Sequence, residues 1–265
     1  MRFASASSLL MRPLSLRAAS TFVFLAAVMA YANSLPNDFV WDDAYNIVQN
    51  ESIRDLGNVP GFFTEAWGAG AESQHSRALN TNYWRPVVLV SYAVDYAVFG
   101  LDPLGFHVTN VFLHALCSWL ILMLGWLLWT GGPRERWGVC VGALLFAVHP
   151  VHTEVVNVIT YRTDLLAALF TLTAMVVWLK AERRPIYWLV VFPCLYACGL
   201  ASKEMAITLP ALLVVLDRAT VQPRWRTLML QLSPMVAVAT PSRMEKTCPI
   251  TTSPRFLSSR ARPKP

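Results

Sequence analysis

The sequence predicts an all-α, polytopic membrane protein of about six transmembrane helices with a large first non-cytoplasmic loop. Composition is the first observation behind this. Of 265 residues 55% are hydrophobic and only 14% charged, where a soluble domain carries nearer a quarter, and the mean hydropathy is +0.43. The second is that the apolar residues fall in long blocks rather than short alternating runs, which a bilayer explains better than a water-soluble core. The third is where the charges lie. A net charge of +6 invites a nucleic-acid reading, but Arg2, Arg12, Arg17, Arg134, Arg136, Lys180, Arg183, Arg184, Arg218, Arg224 and Arg226 sit between or beside apolar blocks, with a further group in the tail. That distribution sets topology; it does not form a patch for nucleic acid.

Residues 1–32 hold a basic, Ser-rich leader and the first apolar block, STFVFLAAVMAYA, from Ser20 to Ala32. Two readings of it stay open, a first transmembrane helix starting near Leu14 or a signal peptide cleaved after Ala32, and both send the following segment across the membrane. Residues 33–105 are polar, punctuated by Gly and Pro, and form the main non-cytoplasmic loop. Inside that loop Val87 to Phe99 is apolar but interrupted by Asp95 and marginal in length, which predicts a helix lying along the interface. Residues 106–220 form the transmembrane bundle, with blocks at Phe106 to Trp129, Trp137 to Val148, Leu165 to Leu179, Ile186 to Leu200 and Met205 to Leu216. Three of these fall short of the roughly 20 residues an untilted span needs, so local thinning or polar caps must make up the difference. Residues 221–265 turn to Pro, Ser, Thr and Arg and read as a disordered basic tail.

With the N-terminus cytoplasmic, Lys and Arg concentrate in the leader and in segments 130–136, 180–185 and 217–226, leaving Arg54, Arg77, Arg85, Arg162 and Lys203 outside. The positive-inside rule supports that orientation. Independently, all acidic residues except Glu135, Glu182, Asp217 and Glu245 fall on the outer side. Cys117, Cys140, Cys194 and Cys198 lie in apolar stretches and Cys248 in the tail, without metal-ligand spacing. They are expected to be small packing residues, with no disulfide framework and no zinc site.

Chemistry-bearing residues gather in the outer segments. NDFVWDDAYNIVQN sets Asp42 and Asp43 side by side just after the first apolar block. Close carboxylates raise one pKa or demand cations, which suits a proton acceptor, a metal clamp or an oriented pair; the plainer alternative is a turn or a helix N-cap. In YWRPV, Arg85 offers a planar fork to phosphate oxygens, either those of a specific lipid-phosphate substrate or those of ordinary headgroups. HPVHTEVVNVITYRTD packs His149, His152, Glu154, Arg162 and Asp164 into one short connection, and ionisable residues at membrane depth mark a functional cavity. Pro150 breaks the helical face that a His149, His152 and Glu154 metal set would need, so a divalent metal is not expected. A further outer turn carries Lys203 and Glu204, which either end a helix and pair with each other or join a shared polar site. Together these groups are what glycosyl transfer from a polyprenyl-phosphate sugar needs. A carboxylate takes the acceptor's proton, and Arg85, Arg162 and Lys203 hold the departing phosphate.

The ordered series FVWDDAYNIVQN, YWRPV, GFHVTNVFLHA, ALLFAVHPVHTEVV, YRTDLLAALF and SKEMAITLP, covering roughly Asn33 to Asp217, resembles membrane O-mannosyltransferases that carry transmembrane helices followed by tetratricopeptide repeats. The resemblance implies that Asp42 and Asp43 are catalytic. It implies a dolichyl or bacterial polyprenyl phosphate mannose as donor and Ser or Thr hydroxyls of translocated proteins as acceptors; since the leaving group is already a phosphate released beside fixed cations, no cofactor is expected to be required. It places the protein in the endoplasmic reticulum membrane of a eukaryote or the inner membrane of a bacterium, working on the lumenal or periplasmic face. Membrane lipid is a further partner. Because members of that family continue into more spans and repeats, the loss of pattern near Val221 implies a chain cut short before them, a shifted reading frame or a genuine short form. Two other classes compete: a transporter, disfavoured because the ionisable residues cluster at one face, and a membrane scaffold without activity.

Overall fold

A computed structural model describes residues 15–64, 84–129, 131–132, 136–181, 184–220, 232–235 and 238. The expected tail, apart from a few residues, and the leader before residue 15 lie outside these. Among the described residues the chain is helical throughout, without strands. Helix α1, Leu16–Tyr31, is capped by Ser15, whose hydroxyl accepts from the Ala18 N–H at 3.2 Å. The first loop follows as single turns (Ala44–Val48, Glu51–Arg54, Leu56–Asn58) and the short helix α2, Val59–Phe62. Helix α3, Pro86–Phe99, starts on a proline and stops at Gly100, whose φ of 64° only glycine adopts freely. Helix α4, Pro103–Leu128, is capped by the Asp102 carboxylate on the Leu104 N–H. Its 26 residues span about 39 Å, enough to cross a bilayer with tilt. Helices α5 (Arg136–Val148), α6 (Thr153–Asn157), α7 (Arg162–Lys180), α8 (Phe192–Leu200) and α9 (Leu209–Thr220) complete the described bundle.

Among the described residues four helical stretches are long and apolar enough to cross a membrane: Leu16–Ser34, Pro103–Leu128, Arg136–Asn157 and Ile159–Lys180. Pro86–Phe99 and Tyr187–Leu200 are apolar but shorter. This is an all-α polytopic membrane architecture. α4 is its centre, contacting α1, α5 and α7, while α7 in turn holds α8 and α9.

The packing explains the sequence. α1 turns Ala19, Val23, Ala27 and Tyr31 inward, four residues apart, the first three packing with Ala115 on α4 and Cys140, Ala143 and Ala147 on α5 and Tyr31 with Val111 and Val156. Small residues at these positions let helices approach closely, and in lipid close packing rather than water exclusion holds them together. The opposite faces carry stripes at helical spacing, Leu104, Val108 and Phe112 on α4 and Val141, Leu145 and Val148 on α5, all exposed. Such stripes would be a liability in water and are ordinary against acyl chains. The first loop forms a cap over one end, where Ile47, Ile53 and Phe62 pack with Val88, Leu89, Tyr92 and Ala93 of α3 onto Phe106, Ile159, Leu165 and Leu166. α3 is therefore two-faced, with this buried side and an exposed side of Val94, Val98 and Phe99.

Candidate active site

The acidic pair sits in a tight turn at the capped end. Asp43 donates its N–H to the Val40 carbonyl at 3.0 Å and receives the Val40 N–H on its carboxylate at 3.1 Å. The same carboxylate accepts from the Ile159 N–H at 3.3 Å, the Thr160 N–H at 2.7 Å and the Thr160 hydroxyl at 2.6 Å. It is fully buried. Asp43 thus pins the first loop to the turn ahead of α7, its carboxylate meeting four donors. Asp42 is exposed, its carbonyl is fixed by the Tyr45 and Asn46 N–H groups, and its carboxylate accepts no hydrogen bond among the described residues. The expected mutual repulsion is resolved by geometry, one acid facing the core and the other solvent. The two are not equivalent.

Two ion pairs extend the site across three chain segments. Lys203 Nζ lies 2.7 Å from both Asp164 carboxylate oxygens, and Arg85 Nη2 lies 3.1 and 3.3 Å from those of Glu204. Lys203 and Glu204 are neighbours in sequence, yet they reach different segments, the first turn of α7 and the start of α3. The Val87 N–H donates to the Ala201 carbonyl beside them. Burial works to raise the Glu204 carboxyl, but its own backbone N–H and the Arg85 guanidinium prevail and hold it below the ordinary carboxylate range. Both cations are largely enclosed, with side chains 15% exposed for Arg85 and 22% for Lys203.

Arg162 requires a correction. Expected to hold donor phosphate, it is wholly buried, with Nη1 2.6 Å from Asp95 and 3.3 Å from the Ser91 hydroxyl. Nε donates to Asn110 at 2.7 Å, Nη2 donates to the Phe106 carbonyl at 2.9 Å, and the guanidinium lies over the Tyr92 ring. Asp95 also accepts from the Thr109 hydroxyl at 2.8 Å. A charge taken this far from solvent must be paired and hydrogen-bonded, and this one locks α3, α4 and α7 together. Asp95, Asn110 and Thr160 were missed by sequence reasoning. Asp95 did leave a signal, the break in an otherwise apolar helix.

The histidines form a separate group. The His149 ring accepts from the Val151 N–H at 3.1 Å, and its carbonyl accepts from the Tyr31 hydroxyl at 2.6 Å. The half-buried His152 ring lies 4.4 Å from Phe146 and 5.1 Å from the buried His114 ring, which bonds the Ala147 carbonyl. Glu154 is exposed and lies against the Tyr161 phenol. Among the described residues no three His, Cys, Asp or Glu side chains are arranged to hold a metal ion. A cleft of about 420 Å³ opens between Leu35, Pro36 and Asn37 and the start of α4. Its one charged lining residue is Asp102, the α4 cap, so it offers a phosphate no cation.

No family model matches the chain, and no solved structure matches it. Among curated proteins it is similar to the protein O-mannosyl-transferase TMTC4 of Homo sapiens, 32% identical over 212 residues, which is 72% of this chain and 28% of that protein. It is also similar to protein O-mannosyl-transferase Tmtc1 of Drosophila melanogaster, 33% identical over 189 residues, covering 69% and 20% respectively. TMTC1 of Homo sapiens is 31% identical over 210 residues, covering 72% and 22%. The chain belongs to the TMTC family. It spans about a quarter of the length of these relatives. The TMTC motifs read from the sequence meet at one end of the bundle: the WDD turn bonds to the turn before YRTD, and the YWRPV arginine and the YRTD aspartate pair with neighbouring residues of SKEM.

Proposed function

We propose that this chain is the membrane part of a protein O-mannosyltransferase, moving mannose from a polyprenyl (dolichyl) phosphate to Ser or Thr hydroxyls of translocated proteins. One observation carries the reading. A turn pinned by Asp43 presents the exposed Asp42 carboxylate at the same bundle end as two ion-paired cations, Arg85 and Lys203. In the transfer, the acceptor hydroxyl oxygen attacks the anomeric carbon as its proton passes to Asp42. The bond from that carbon to the phosphate oxygen breaks, and the electron pair leaves with the phosphate. Arg85 and Lys203 balance the charge of that leaving group, held until then by Glu204 and Asp164. No step calls for a metal or other cofactor.

The working face on this reading is the lumenal side of the endoplasmic reticulum membrane, or its periplasmic counterpart. His149, His152 and Glu154 have a supporting role in shaping the adjoining connection. Asp42→Asn tests the proposal in the purified chain supplied with a mannosyl polyprenyl phosphate and a Ser/Thr peptide. Transfer should fall roughly a hundredfold or more, the scale of general-base catalysis, with the melting temperature unchanged. Undiminished transfer would overturn it.

A further inference from the structure

Trp41 has the only positive φ of a non-glycine among the described residues, 49°. That region crowds the Cβ of an L residue against its own backbone, so a bulky side chain is held there only where its surroundings over-determine it. They do so here. The Val40 N–H and carbonyl are both bonded to Asp43, whose carboxylate is fixed in turn by the Ile159 and Thr160 N–H groups. Packing returns nothing for the strain. The indole is 70% exposed, its N–H makes no hydrogen bond, and its ring meets no other aromatic ring among the described residues.

We propose that Trp41 is the platform on which the hexose of the donor stacks, beside Asp42. The inference rests on the transferase reading and adds a binding surface to it. The face of an indole is electron-rich, so it attracts the C–H edge of a pyranose, and it favours the positive charge that grows at an anomeric carbon as the phosphate departs. Because Trp41 and Asp42 are consecutive in one pinned turn, the sugar face and the proton acceptor keep a fixed relation, which a site needs if the attacking hydroxyl is to be aligned. A headgroup anchor is the competing role of an exposed tryptophan. An anchor gains nothing from a strained backbone, and the bundle already presents continuous apolar stripes to lipid, such as Leu104, Val108 and Phe112.

The test titrates the whole chain in lipid nanodiscs with two probes differing only in the sugar, mannosyl phosphoryl polyprenol and the bare polyprenyl phosphate. Trp41→Ala and Trp41→Gly should weaken the mannosyl probe by roughly two- to tenfold, the scale of a single aromatic contact, and leave the bare phosphate unchanged. Trp41→Phe should keep most of the binding. Glycine accepts the positive φ without strain, so Trp41→Gly should lose hexose binding with no fall in melting temperature, which separates a lost platform from a misfolded turn. Equal losses on both probes would mean an interfacial anchor and overturn the inference, as would full mannosyl binding by Trp41→Gly. A wild-type chain indifferent to the sugar would sink the transferase reading as well. A sugar preference that survives Trp41→Ala sinks the platform alone.

Discussion

Adjacent aspartates with opposite surroundings should respond oppositely to the same substitution. Asp43→Asn replaces a carboxylate that meets four donors with an amide that must aim its own NH2 at some of them. A buried charged acceptor lost in this way costs about 1–3 kcal/mol. The melting temperature in detergent should fall, and any loss of transfer should track the fraction unfolded. If Asp43→Asn were as stable as wild type and still inactive, Asp43 would need a direct chemical role. The sequence displayed both acids, their place behind Trp41 and their distance from the first apolar block. It could not show which one is buried, because the donors that decide it, the Ile159 and Thr160 N–H groups, lie more than a hundred residues away in the chain. The contacts of Asp43 are those of an aspartate that holds a turn in place. The proton-acceptor geometry is left to Asp42.

Between elements, the Asp95 and Arg162 pair joins α3 to α7 across α4, and its energetics follow from desolvation. Removing one partner strands the other charge, so Arg162→Met or Asp95→Leu alone should cost about 3–5 kcal/mol, while the double substitution should recover much of that loss. A double-mutant cycle on thermal or denaturant unfolding in detergent checks this, and additive losses would contradict it. Helix positions were legible because blocks of apolar residues announce themselves. Less legible was the nature of α3. Its Asp95 is a break in a hydrophobic run when read along the chain, whereas in three dimensions it is the anchor that draws the helix down onto the bundle. Arg162 was misread for the reciprocal reason. An arginine at the mouth of a span looks available to phosphate until Asp95, Asn110, Ser91 and the Phe106 carbonyl are seen around it.

At the scale of the molecule, three connections separated in sequence, the first loop, residues 149–161 and residues 201–208, share one end. The alternation of spans already predicted that. Their mutual bonds were beyond sequence reading, since pairing of Lys203 with Glu204 is locally as reasonable as the crossed pairing observed. The shared end gives a topological expectation: Thr153→Cys should react with an impermeant thiol reagent from the side opposite Gly132→Cys, and labelling of both from one side would refute the span order. It also gives a pH dependence. Glu204 has a depressed folded pKa, so the stability from its Arg85 link is fully present above the ordinary carboxylate value and fades as pH falls through the depressed one. The melting temperatures of wild type and Glu204→Gln should therefore differ by a small constant amount near neutrality and converge in acid, the difference being small because Glu204 is 65% exposed. The bond from Asp43 to Thr160 spans 117 residues, and this has a consequence for the newborn chain. At roughly 5–20 residues per second of synthesis, the acidic turn emerges about 6–23 seconds before its partner is made. During that interval the carboxylate that later locks the cap is an open anion on an unfinished loop. The part made early is therefore the part completed late, and a stall in inserting α5 or α7 would leave this turn without its partner.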